Sequence, residues 1–165
     1  MEKSPEHPVH KLSDNWTLWA HLPNDNNWSL KSYKKLVTLE SVEKTNAINE
    51  YIPDKFIKSC SLFVMRNNIK PMWEAEENVN GGCLSFKIYK KNIYESWNQL
   101  TYFLIGEKVL KNESDNLKVN GISISPKKTF SILKIWFSDK TINDPKFLNN
   151  MNLFKFEDAI YKAHS

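Results

Sequence analysis

The sequence predicts an α+β domain in which an antiparallel sheet is covered on one side by helices. Three observations predict it. Apolar residues recur at every second position in short runs, and only two stretches carry an apolar face at helical spacing. Helices and strands do not alternate as the crossovers of a parallel sheet require. A chain of 165 residues fits one such domain, burying roughly two thirds of the surface its unfolded form exposes.

Residues 1–12 read as a flexible tail, since Pro5, Pro8 and scattered charges offer no periodic apolar face, and a single domain is expected over 13–165. Order is expected from about Asn15, where Trp16, Leu18 and Ala20 alternate with Thr17, Trp19 and His21 as in a strand. The polar run 23–27 then breaks the pattern and leaves Trp28 at the end of a loop. A short strand is expected at 36–39, followed by a helix capped by Ser41 with Val42, Thr45, Ile48 and Ile52 on one face, stopped by Pro53. Residues 61–65 read as a strand. Pro71 opens a loop that holds Trp73 and Glu74, and Gly81-Gly82 turns the chain into a strand over 83–90. Ile93, Trp97, Leu100 and Leu104 define the second helix, with Gly106 as its C-terminal cap. Residues 119–125 and 130–137 form a hairpin whose tip, Pro126-Lys127-Lys128-Thr129, is basic. A helical turn is expected within 144–150 and a last short strand at 153–156.

Composition excludes several classes. Cys60 and Cys83 are far apart and form no C-x-x-C, so reduced thiols and a cytoplasmic address are expected rather than a zinc site or disulfide. No apolar run approaches membrane-spanning or signal-peptide character. The net charge of +4 favours a polyanion without the dense basic surface that duplex binding demands. His7, His10, His21 and His164 show no metal spacing, and Glu50 and Asp54 pair with no nucleophile. Neither an enzyme nor a cofactor is expected.

Six tryptophans remain to be placed. Trp16, Trp19 and Trp97 lie on patterned elements and read as core. Trp28 and Trp73 sit in polar loops, where ligand stacking and plain surface exposure stand about even on the residues alone. Two parallel indoles hold a cationic planar ring more tightly than a neutral one. 7-Methylguanine is such a ring, and its Watson-Crick edge offers two N–H donors to a carboxylate such as Glu74. Lys127-Lys128 by itself reads as a solvated turn.

The motifs Trp16-Thr17-Leu18-Trp19, Pro71-Met72-Trp73-Glu74, Gly81-Gly82, Leu104-Ile105-Gly106-Glu107 and Ile135-Trp136 occur in an order and spacing that resemble the eukaryotic translation initiation factor 4E family of mRNA cap-binding proteins. The resemblance runs from His10 to Trp136. It implies a curved antiparallel sheet with helices on the convex face and a cap slot on the concave face. It also implies that Trp28 and Trp73 sandwich the methylated base, Glu74 takes its N1–H and N2–H, and Trp136 lies near the N7-methyl group. Lys127, assisted by Lys128, would bind the phosphates. Capped mRNA is the implied partner of a monomer acting in translation initiation, and a cap-sequestering repressor is the alternative.

Two departures stand out. Cys83 and Leu84 follow Gly-Gly where the family carries a basic residue and a tryptophan, and Ile132 takes a further basic position, leaving Lys128 or Lys134 to compensate. On the dorsal side, which in the family binds a helical peptide of a 4G-like scaffold, the corresponding residues are His10, Leu12, Val42 and Asn46, the last in place of a tryptophan. The segment after Trp136 is shortened, which implies a rearranged C-terminal region.

Overall fold

The computed structural model describes residues 7–152 and 155–165, apart from the side chain of Phe156. Within them, strands β1 (Lys11–His21), β2 (Tyr33–Ser41), β3 (Ser61–Arg66), β4 (Gly82–Tyr89), β5 (Val119–Pro126), β6 (Phe130–Phe137) and β7 (Ile160–Ala163) build one curved sheet in the order β2-β1-β3-β5-β6-β4-β7. Every neighbouring pair is antiparallel. Helices α1 (Val42–Tyr51), α2 (Asp54–Ser59), α3 (Glu76–Val79) and α4 (Ile93–Ile105) complete the α+β fold.

The period-two alternation sorts side chains onto two faces. Leu62 and Val64 of β3, Leu84 and Phe86 of β4, Ile122 and Ile124 of β5, and Leu133 and Ile135 of β6 enter the main core. α4 meets them with Ile93, Trp97, Leu100 and Leu104, the face its spacing predicts, and α2 adds Ile57. The intervening Phe63, Met65, Cys83 and Trp136 form a smaller cluster on the opposite face. Trp16 and Trp97 are buried in the main core as expected, whereas Trp19 is half-buried and packs against the smaller cluster.

Several boundaries differ from the sequence expectation. β1 begins at Lys11, ahead of Asn15 and inside the expected tail, because Lys11 pairs with Ser41 and the Val42 N–H donates to the His10 carbonyl at 2.9 Å. Ser41 caps α1 by accepting from the Lys44 N–H at 3.1 Å. Pro53, expected only to end that helix, serves as the N-cap of α2. The helical turn within 144–150 is a 3-10 turn at Pro145–Phe147. Of the strand expected at 153–156, residues 153–154 lie outside the described residues; Phe156–Asp158 is a 3-10 turn and the last strand is β7.

Gly81 is required by close approach, since a Cβ there would overlap the Phe137 carbonyl. Gly106 caps α4 at φ −84°, and the left-handed residue is instead Glu107 at φ 55°. Among the described residues no helix is long and apolar enough to cross a membrane.

Candidate functional site

The sheet face opposite the main core carries a cavity of about 330 Å3 above the smaller cluster. Trp28, Trp73, Glu74, Lys127, Lys134 and Trp136 all line it. Trp28 and Trp73 remain 55% and 49% exposed, an unusual state for indoles in a folded chain and one that leaves ring surface for a ligand. Lys127 reaches the cavity from the hairpin tip, where its N–H donates to the Phe130 carbonyl at 2.7 Å; Lys128 is exposed and is not among the lining residues.

The Trp28 loop is tied by side-chain-to-backbone bonds that substitute for a regular ladder. The Asp25 carboxylate accepts from the Asn27 N–H at 2.9 Å, the Asn27 side chain accepts from the Ser29 N–H at 2.9 Å, and Asn24 turns the chain at φ 64°. The buried His21, at the end of β1, lies 2.8 Å from the Asn27 carbonyl through Nε2. Its ring stacks on Trp28 at 3.7 Å and 4°. Tyr33 meets both rings edge-on. Trp28 therefore has one face supported by His21, which fixes the plane of the indole.

The Trp73 loop is held from below by Asn78, which is fully buried. Its carboxamide donates to the carbonyls of Lys70 and Met72, at 3.1 and 2.8 Å, and accepts from Asn120 at 2.9 Å. The Asn78 carbonyl is in turn 2.7 Å from His164 Nδ1, and His164 Nε2 is 3.0 Å from the Cys83 thiol. Trp136 donates from Nε1 to Ser123 Oγ at 3.0 Å and is nearly buried, so it forms a wall rather than a free stacking ring.

Burial, seconded by the Glu74 charge, pushes the Tyr33 hydroxyl from 10.0 up to about 12. Burial likewise pushes the Cys83 thiol from 9.0 up to about 12, against the pull of Lys134. His164 is shifted down, by burial first, although its bond to the Asn78 carbonyl opposes the shift. Since both raised groups hold their protons better when folded, their stabilisation is complete below about pH 9 and is lost as pH rises towards about 12. Melting temperature should therefore fall across that window, and in Cys83→Ser the fall should begin about one pH unit higher, where Tyr33 alone responds. An unchanged onset in the variant would refute the assignment to Cys83.

His21, Tyr33, Asn78 and His164 were not singled out by sequence reasoning, and each comes from a different element. Their only sequence signal is parity: His21 shares the alternate face of Trp19.

On the dorsal side, His10 and Val42 are brought together. The His10 N–H donates to the Glu43 carboxylate at 3.0 Å, and Val42 is 37% exposed at the start of α1. Asn46 is exposed one turn further along α1, while Leu12 is half-buried and packs towards the main core.

The sequence profile described as Eukaryotic initiation factor 4E matches residues 11–160. The eukaryotic translation initiation factor 4E of Saccharomyces cerevisiae is 31% identical over 135 residues, covering 77% of this chain and 61% of that protein. The homolog from Acanthamoeba polyphaga mimivirus is 28% identical over 136 residues, covering 70% of this chain and 50% of its own. The chain thus spans about half to three fifths of the length of these curated relatives. Among solved structures, the Ascaris suum factor 4E-3 in complex with an m7G cap superposes with TM-score 0.78 at 19% identity, over 96% of this chain and 93% of that one. The Caenorhabditis elegans factor 4E-3 with the 4E-binding protein Mextli gives 0.73 at 20% identity, over 84% and 81%. These structural likenesses show the fold, and the profile match across both tryptophan loops and the hairpin shows more: the chain belongs to the eukaryotic initiation factor 4E family.

Proposed function

We propose that this chain is a non-enzymatic binder of the 7-methylguanosine cap of mRNA, acting in translation initiation in the cytoplasm as a single domain over the expected 13–165. One observation carries the reading: a single cavity gathers two half-exposed tryptophans, a carboxylate and a basic hairpin tip. The base stacks between Trp28 and Trp73, Glu74 accepts from its N1–H and N2–H, Trp136 walls the methyl side, and Lys127 meets the phosphates. Lys128, outside the cavity, contributes only long-range charge. Family membership and the cap held by the Ascaris suum neighbour support the same ligand.

The energies suffice. A base stack contributes about 1–3 kcal/mol and a hydrogen bond to a carboxylate about 1.5–3 kcal/mol, against an association cost of at least several kcal/mol. The test is a tryptophan-fluorescence titration with 7-methylguanosine triphosphate and with GTP. The methylated nucleotide should bind at least about tenfold tighter, since the cationic ring gains from both indoles; equal affinities would sink the proposal.

For the protein partner we propose a helical scaffold peptide on the dorsal face around Val42. Asn46 offers no aromatic anchor there, and such anchors commonly carry about 2 kcal/mol or more of an interface. A consensus scaffold peptide should therefore bind weaker than about 1 μM, and Asn46→Trp should tighten it about tenfold or more. Submicromolar binding to the unaltered chain in calorimetry would overturn this.

A further inference from the structure

Beside the slot lies a second cavity of about 290 Å3, and Trp73, Lys134 and Trp136 line both. It owes its room to a small residue, Cys83, on β4. The sheet register explains what surrounds it. Lys162 of β7 lies directly across from Cys83, and Lys134 of β6 lies directly across from Ser85. Residues in register on neighbouring strands project from the same face. Cys83 and Ser85 therefore make a floor, with one lysine standing on each flanking strand.

Charge in this cavity is one-sided. No carboxylate lines it. Among the described residues Lys134 and Lys162 belong to no ion pair, whereas other lysines of the chain are paired with neighbouring carboxylates. The remaining polar groups are neutral and mutually satisfied: His164 Nδ1–H donates to the Asn78 carbonyl, and Nε2 accepts from the protonated Cys83 thiol. What fits a neutral floor flanked by two unpaired ammonium groups, opening directly onto the slot, is an extended anion joined to whatever the slot holds.

We propose that this second cavity takes the phosphate chain of the nucleotide whose base lies in the slot, held by Lys134 and Lys162 with the Ser85 hydroxyl donating. Only the identity of the base rests on the function proposed above. The basic residue absent at Cys83 is thereby replaced from the strands on either side of it, including β7, which lies beyond the motifs that carry the family resemblance.

The experiment compares 7-methylguanosine with its mono- and triphosphate at low salt, by tryptophan fluorescence, in the full chain and in Lys134→Gln, Lys162→Gln, the double variant and Lys134→Arg. The exposed Lys91→Gln on the far side of β4 serves as the control. The triphosphate should bind the unaltered chain at least about tenfold tighter than the nucleoside, the scale of one or two charge-assisted hydrogen bonds. Each glutamine variant should remove about threefold or more of that gain and the double variant most of it, with nucleoside affinity held within about twofold. Lys134→Arg and Lys91→Gln should keep the gain. A phosphate gain that survives the double substitution overturns the proposal, and so does loss of nucleoside affinity in equal measure. Inorganic tripolyphosphate separates the two readings. Binding to the unaltered chain but not to the double variant, with no response to 7-methylguanosine, would leave the anion site standing and remove the base reading. Nucleoside binding with tripolyphosphate indifferent to both lysines would do the reverse.

Discussion

Glu74→Ala is expected to weaken binding of 7-methylguanosine triphosphate by about 100-fold or more. Glu74 lines the slot beside Trp73, on a loop that Asn78 clamps from below, so its position is set before ligand arrives. Two N–H donors on the base meet one carboxylate, at about 1.5–3 kcal/mol each, and about 1.4 kcal/mol is a factor of ten. Removing the acceptor also strands two buried donors of the bound base, which adds to the loss. Glu74→Gln keeps the shape and one acceptor but presents an amide N–H to a donor, so it should fall between, at about tenfold or more. By comparison, Trp73→Ala removes one stack of about 1–3 kcal/mol. A separate check needs no ligand: because the Glu74 charge contributes to raising Tyr33, the Tyr33 titration should move down from about 12 in both Glu74 variants. A loss of less than about fivefold in Glu74→Ala would remove Glu74 from the recognition of the base.

Those parts of the fold that depend on near-neighbour pattern were legible in the sequence, and those that depend on distant pairing were not. Alternation at Trp16, Leu18 and Ala20, the four-residue steps of Ile93, Trp97, Leu100 and Leu104, and the Pro126 hairpin each announce themselves within a dozen residues. β7 does not. Ile160 is exposed, and the strand exists because β4 offers it an edge, which no local pattern encodes. The start of β1 is hidden in another way: Lys11, Ser13 and Asn15 do alternate with half-buried Leu12 and Asp14, but the inward side chains are too polar to read as a face. At α2 the signal was ambiguous, since a proline serves a helix beginning as well as a helix end. In the slot, Trp28, Trp73, Glu74 and Lys127 were visible because short motifs carry them. The stack of His21 under Trp28 and the clamp of Asn78 under the Trp73 loop are contacts across the sheet and its loops, and only the folded chain shows them.

Arg66→Met is expected to destabilise the fold by about 3–5 kcal/mol, the usual result of deleting one member of a buried ion pair. Arg66 ends β3 nearly buried, with its guanidinium 4.4 Å from the centre of the Trp16 ring. It donates to Glu107 through both terminal nitrogens, to Asp14 at 2.8 Å, and to the carbonyls of Asn116 and Val119. Burial works against its charge, but the bonds to Glu107 and Asp14 outweigh that and hold it protonated. This cluster gives the Leu104-Ile105-Gly106-Glu107 motif its physical content. Leu104 and Ile105 fill the core, Gly106 ends α4, and Glu107 accepts a left-handed backbone, a strain of about 1–2 kcal/mol, which its two bonds to Arg66 offset. Methionine fills the volume but leaves the Glu107 carboxylate and two carbonyls without donors. In a chain of this size about 3–5 kcal/mol corresponds to a fall in melting temperature of roughly 10 °C. Adding Glu107→Gln to Arg66→Met removes the stranded charge, so the double variant should melt above the single one. If the two losses instead add, the cost lies in packing around Trp16 and not in the unpaired carboxylate.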